Sequence, residues 1–275
     1  MARWASLVDA RRRERPTILL DTGDFYFGAD VRHREMNDRY LFRSMRLLTY
    51  DAVGVGESEL RIGLDELRSR AGSHAPPLLS ANLLDHRTRE HALPREIVKE
   101  FSGVRTASGA RGRLRVGIFA VLFSPPWHRG GADGSNRYAA IDPKIAALEA
   151  AARLRANGCH VVVAISHLSW EESVALAREV PGIDVVLSGH RTGRTMRFER
   201  AGRTAVVETG GKELFFTEVT VSFGADSLEI SAANRCPDAL ATEGDPRLLS
   251  LQKRYSEELR RLDDPAVRGG TQRKR

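Results

Sequence analysis

The spacing of apolar positions changes period repeatedly along this chain, and each change marks a new element. Residues 17–24, TILLDTGD, form a short β-branched and leucine-rich run ending in Gly-Asp. Within DRYLFRSMRLLTYD (38–51), Leu41, Met45 and Leu48 recur at helical spacing. AVGVG (52–56) reads as a strand, LDELRSRAG (64–72) as a short helix closing on Gly72, and LLSAN (78–82) as another strand. From there to about residue 110 the polar sequence predicts irregular structure. RVGIFAVLF (115–123) is again a strand, followed by the glycine- and proline-rich loop PPWHRGGADGSN.

The second half is patterned more clearly. DPKIAALEAAARLRANG (142–158) has a capping Asp142, Pro143 at the first helical position and a terminating Gly158, so it predicts a helix. VVVAISH (161–167) is a buried strand, and SWEESVALAREV (169–180) opens on a Ser-x-x-Glu capping box. DVVLSGH (184–190) is the next strand. RTMRFER, RTAVVETGG, FFTEVTVSF and SLEISAAN then alternate in character and predict an antiparallel run. DPRLLSLQKRYSEELRRL (245–262) is a last helix. Strands alternating with helices, then a β-rich part, predict an α/β layered domain.

Charge at first suggests nucleic acid, because the 275 residues carry a formal +7. Its location removes that suggestion. Residues 1–16 contribute +3 and residues 265–275 contribute +4, so the region between is neutral. The basic end reads as a solvated, disordered tail, and no nucleic-acid partner is expected. No apolar run is long enough to span a bilayer, and the N-terminus as written is no secretory signal. A cytoplasmic location follows, or an exported one if a signal sequence precedes Met1. Cys159 and Cys236 stand in no CxxC spacing and are expected as two buried thiols. The sequence does not indicate an oligomeric state.

Four predicted strands end at a potential metal ligand: Asp24, Glu57, His167 and His190. In α/β sheets, ligands collect beyond the carboxyl ends of strands, where loops converge. Two carboxylates and two imidazoles gathered there suit a borderline divalent ion such as zinc, manganese or iron. Each residue alone reads more simply as a cap or a hydrogen-bonded loop side chain; four in one topological position read as a site. Arg191 and Arg194 beside His190 are candidates to grip phosphate. His33, His74, His86, His91, His128 and His160 lack paired spacing and read as surface residues, and HRGGADGSN lacks a P-loop ending.

These segments resemble a known family. LLDTGDFYFG looks like the Gly-Asp motif of calcineurin-like metallophosphoesterases. YDAVGVGESELRIGLDEL resembles the segment of the 5′-nucleotidase and UDP-sugar hydrolase group that carries a Gly-Asn-His-Glu/Asp motif. VVVAISHL, IDVVLSGHRTGRT and VVETGG follow in the family's order, and the resemblance covers residues 1 to about 262. It implies a four-layer αββα sandwich over residues 1–262, a basic tail over 263–275, and a two-metal centre that activates water against phosphate esters of nucleotide type. Asp24 would be the bridging carboxylate, His167 and His190 would hold the second metal, and Glu57 stands where the family places Asn.

The departures are equally specific. The family's opening Asp-x-His strand and Gly-Gly segment have no counterpart, so in family terms the fold lacks its first strand. Thr192 replaces the second His of Gly-His-x-His, and Ser58 replaces the His that would contact the phosphoryl group, so no catalytic side chain is retained. The resemblance therefore implies one metal per chain, held by Asp24, Glu57, His167 and His190. It also implies a phosphoric ester hydrolase of reduced activity. The alternative is a degenerate, non-catalytic domain that binds a phosphate ligand or a protein partner.

Overall fold

The computed structural model describes residues 1–26, 33–105, 111–123, 137–190, 195–208, 216–223, 228–236 and 243–264. Along the chain run α1 (Ala2–Glu14), β1 (Leu20–Asp21), α2 (Arg34–Leu48), β2 (Ala52–Gly54), α3 (Glu57–Ile62), α4 (Leu64–Ala71) and β3 (Leu78–Leu79). Then come β4 (Leu83–Asp85), β5 (Glu96–Arg105), β6 (Arg111–Leu122), β7 (Tyr138–Ala140), α5 (Pro143–Ala156), β8 (Val161–His167), α6 (Trp170–Glu179) and β9 (Val185–Ser188). The order closes with β10 (Arg197–Ala201), β11 (Thr204–Glu208), β12 (Phe216–Phe223), β13 (Leu228–Arg235) and α7 (Pro246–Asp263).

Six strands form the larger sheet in the order β10-β11-β9-β8-β6-β5. Its four inner strands are mutually parallel, and both edge strands run antiparallel to their neighbours. Every residue of β8 is buried, as expected of a parallel strand covered on both faces. On one face, Phe119, Val121, Val162, Ala164 and Val206 pack under α5 and α6. The inner face of α5 is Ala146, Ala147, Ala150 and Ala151, short side chains that bring the helix close to the sheet.

On the other face, Ile118, Ala120, Val161 and Ile165 meet Ala52 and Leu79 of a second, parallel sheet, β1-β2-β3. The β12–β13 hairpin adds Val219, Val221, Leu228 and Ile230 to this inter-sheet core. Beyond the small sheet, Phe42, Met45, Leu60, Leu64 and Leu67 from α2, α3 and α4 cover Val53 and Leu78. The layers are therefore helix, sheet, sheet, helix, as the family resemblance implies. A fourth cluster seats α1 and α7 against Leu19 and Leu48.

The helix starts follow the sequence reading. The Asp142 carboxylate accepts from the amides of Lys144 (2.8 Å) and Ile145 (3.3 Å). The Ser169–Glu172 capping box is closed in both directions. Asp245 caps α7 in the same way as Asp142 caps α5.

Two segments differ from expectation. The stretch expected to be irregular contains β4 and the ten-residue β5. EIVKEFSGVR is an edge strand whose Ile97 and Phe101 face the inter-sheet core while Val98 faces the helices. Its charged positions blunt an open sheet edge, and that made it look like a loop. The C-terminal β-rich part is not one antiparallel run either. β11 pairs in parallel with β9, and β12–β13 is a separate hairpin. Cys159 is buried but Cys236 only half-buried, and both are free thiols. No helix among the described residues is long and apolar enough to cross a membrane.

Asn82 ties three elements at the rim of the larger sheet. Its amide donates to the carbonyls of Leu122 (2.7 Å) and Ile141 (2.9 Å), and its oxygen accepts from the Leu122 amide (3.0 Å). Truncation would leave the buried Leu122 amide and carbonyl without this partner. Asn82→Ala is expected to lower unfolding free energy by about 3 kcal/mol in urea titration. A loss under about 1 kcal/mol would show that the rim does not depend on this side chain.

Candidate metal centre

His167 closes β8, at the end of a strand buried on both faces. Its Nδ1 lies 2.7 Å from the carbonyl oxygen of Thr22. A carbonyl can only accept, so Nδ1 carries a proton and Nε2 faces the other way. There it meets Glu57 Oε2 at 2.8 Å and Asp24 Oδ2 at 3.5 Å. His190, two residues beyond β9, brings its Nδ1 to 3.4 Å from His167 Nε2 and 3.5 Å from Glu57 Oε2. The structure thus brings together the four residues expected from sequence as metal ligands, with one potential donor atom from each lying within 4.8 Å of the others.

The surrounding backbone is shaped to this cluster. Asp24 adopts φ +59, a left-handed conformation uncommon for a residue with a side chain. Its Oδ1 accepts from the Ser58 amide at 2.9 Å. A side chain at Gly56 would displace the cluster, because a Cβ there would stand 2.4 Å from Asp24 Oδ1 and 2.6 Å from His167 Nε2. Gly189 is similarly constrained, since its Cβ would fall 1.9 Å from Thr22 Oγ1. The ring of Phe123 lies 4.8 Å from that of His190 and 6.3 Å from that of His167.

Sequence reasoning missed the residue that organises these loops. Glu59 is fully buried, and its carboxylate accepts from the amides of Asp24, Gly56 and Tyr26, each at 2.9 Å. It thereby joins the loop after β1 to the start of α3. Its position as the fourth residue of GESE, matching Glu/Asp in the family motif, was the signal that could have found it. Glu57 itself opens α3 rather than ending a strand. Arg191, Arg194 and Thr192, and the loop bearing Trp127 and His128, lie outside the described residues. His86, His91 and His160 are exposed and His33 and His74 half-buried, away from the cluster.

Electrostatics set the ordinary state of the cluster. Burial alone would lower the His167 pKa, but hydrogen bonds to Asp24 and Glu57 raise it to about 10. Burial would raise Asp24, yet the His167 and Ser58 hydrogen bonds hold it at about 2. Glu57 is likewise lowered by His167 against the opposing effect of burial. Burial pushes Glu59 up to about 7 and Asp21 up to about 6. The donor set fits a divalent cation: two imidazoles and two carboxylates, close together, with the one histidine oriented by a backbone carbonyl.

No family model matches the chain. It is 26% identical over 211 residues to a 2′,3′-cyclic-nucleotide 2′-phosphodiesterase/3′-nucleotidase of Salmonella typhimurium, covering 69% of this chain and 32% of that protein. It is 28% identical over 205 residues to the snake venom 5′-nucleotidase of Crotalus adamanteus, covering 69% and 31%. The calcineurin-like phosphoesterase YfkN from Bacillus subtilis superposes with a TM-score of 0.73 at 19% identity, over 96% of this chain and 90% of that one. The chain is a relative of the 5′-nucleotidases and calcineurin-like phosphoesterases, and it has their fold. This phosphoesterase-fold chain spans about a third of the length of the curated relatives it matches.

Two outcomes are expected. Gly56→Ala should remain folded by circular dichroism yet lose most of its zinc or manganese uptake in equilibrium dialysis; undiminished uptake would mean the cluster is not where ions bind. Without metal, the proton on His167 is held up to about pH 10 in the folded state and released near 6.5 in the unfolded chain. Its stabilisation is full below about pH 6.5 and lost by about pH 10. The chelated protein should melt at progressively lower temperature across that window, and Asp24→Asn should flatten the slope. An unchanged slope in the variant would refute the pairing.

Proposed function

We propose that this chain is a metal-dependent phosphoric ester hydrolase of nucleotidase type, using one divalent ion per chain and working at reduced rate. The observation that carries the reading is the convergence of Asp24, Glu57, His167 and His190 around one point. The relatives' activities on nucleotide esters support the substrate class.

A divalent cation held by these four residues would supply charge neutralisation at a phosphoryl group and make nearby water more acidic. The protein's own part is positional. The Thr22 carbonyl aims the imidazole of His167 inward, and the Ser58 amide fixes one oxygen of Asp24 while leaving the other on the cluster. Glu57 brings a negative charge where the family has a neutral amide, so two carboxylates face the cation. A more fully neutralised ion is a weaker Lewis acid, one reason for the reduced rate. Ser58 is the other: it stands where the resemblance places an imidazole that would contact the phosphoryl group.

A second reading rests on the same geometry. With a proton on Nε2, His167 satisfies Glu57 directly and lies beside Asp24, so the cluster is self-consistent as a buried ion pair. That favours a non-catalytic domain that binds a phosphate ligand or a protein partner.

Assay of phosphate release decides between them. Glycerol phosphate and nucleoside monophosphates with added manganese or zinc should be hydrolysed, with the rate falling at least about 100-fold in Asp24→Ala and His167→Ala. Metal should also raise the melting temperature of the unmutated protein. No release and no thermal shift with any divalent ion would leave the non-catalytic reading.

A further inference from the structure

Backbone groups hold two of the four clustered side chains directly: the Ser58 amide grips Asp24, and the Thr22 carbonyl grips the ring of His167. At His190 the backbone contacts act one residue earlier. The Gly189 amide donates to the Ser166 carbonyl at 3.0 Å. Ser188 joins a hub of three fully buried hydroxyls, in which Ser173 of α6 donates to Ser188 Oγ at 3.2 Å and lies 2.9 Å from Ser166 Oγ. The end of β9 is thereby registered against the end of β8 and against α6. This fixes the main chain up to Gly189, and side-chain contacts must set the plane of the next ring. An imidazole turns about two torsions, the first with three wells and the second roughly two-fold, so about six arrangements exist for an unguided ring. The one observed presents Nδ1 to His167 Nε2 at 3.4 Å and to Glu57 Oε2 at 3.5 Å.

Phe123 provides a guide. It follows β6 directly, and its amide donates to the His167 carbonyl at 3.4 Å, so its main chain is tied to the same strand end. Its ring is half-buried against the core beneath α5 and α6. The same ring lies 4.8 Å from the His190 ring at an angle of 50°, and 6.3 Å from the His167 ring at 18°. The two imidazoles stand 5.1 Å apart at 67°. One aromatic side chain therefore borders both rings. Its electron-rich face also suits imidazoles that carry a proton or a metal cation.

We propose that Phe123 is a positioning residue, whose ring orients the imidazole of His190 toward Glu57 and His167 and so presets the cluster for a divalent ion. The last clause rests on the metal-centre reading; the orientation of the ring does not. An aliphatic side chain would still fill space against the core, but it would offer His190 no flat face.

Two measurements test this. In the metal-free protein, proton NMR should show a nuclear Overhauser contact between the ring protons of His167 and His190. That contact should persist in Phe123→Tyr, which keeps the ring, and disappear in Phe123→Leu, where His190 samples its other rotamers. Zinc affinity, measured by competition with a chromophoric chelator, should fall about five- to tenfold in Phe123→Leu, the scale set by some six ring arrangements. In Phe123→Tyr it should stay close to that of the unmutated protein. Phe123→Met serves if the leucine variant fails to fold. A role in packing alone would lower the urea midpoint of the leucine variant while leaving the ring contact and the zinc affinity unchanged. That result, an equal loss in the tyrosine variant, or absence of the ring contact from the unmutated protein would overturn the proposal. If the ring contact behaves as expected but the unmutated protein takes up no ion, the positioning role stands and the metal-centre reading falls.

Discussion

Everything at the functional end of this molecule depends on the two faces of one imidazole. The Thr22 carbonyl claims Nδ1 of His167, and so Nε2 must point at two carboxylates. A lone pair cannot rest between two anions inside a protein; something positive has to sit there. Either a proton or a metal cation meets the requirement, and the competition between them links acidity, stability and ion uptake in a single group. The layered fold supplies what this demands: a fully buried strand to carry the ring, and two neighbouring loops to deliver the acids.

Those loops are themselves a product of packing. The small sheet has strands of only two or three residues, so its chain leaves the layer almost at once and turns over its edge. Such short strands would be weak alone. They are held by the larger sheet on one side, through Ala52 and Leu79, and by α2 to α4 on the other, through Val53 and Leu78. Close approach at Gly56 and Gly189 then lets the loops converge without filling the space between the clustered side chains.

Much of this was legible in the sequence, for identifiable reasons. Helices with strong caps, such as those opened by Asp142 and Ser169, announce themselves locally, and β8 is apolar enough to read as a buried strand. The four clustered residues could be found because each follows a short apolar run, although only His167 lies within its strand. What escaped was either hidden by charge or non-local. β5 carries the acidic and basic residues of an exposed edge, and among the described residues its ladder partner is β6. The parallel pairing of β11 with β9 depends on a contact across some twenty residues that no local pattern encodes. Glu59 drew no reading of its own, because its value lies in three backbone amides brought to it by folding.

That last arrangement has a mechanical consequence. Because a single side chain grips the backbone at Asp24, Gly56 and Tyr26, the segment after β1 and the start of α3 move as one rigid piece. The spacing between Asp24 and Glu57 is then insulated from breathing of the outer helices. Shifts in α2 or α7 would carry both acids along rather than pull them apart, and the histidines on the larger sheet become the stationary jaw against which that piece is registered.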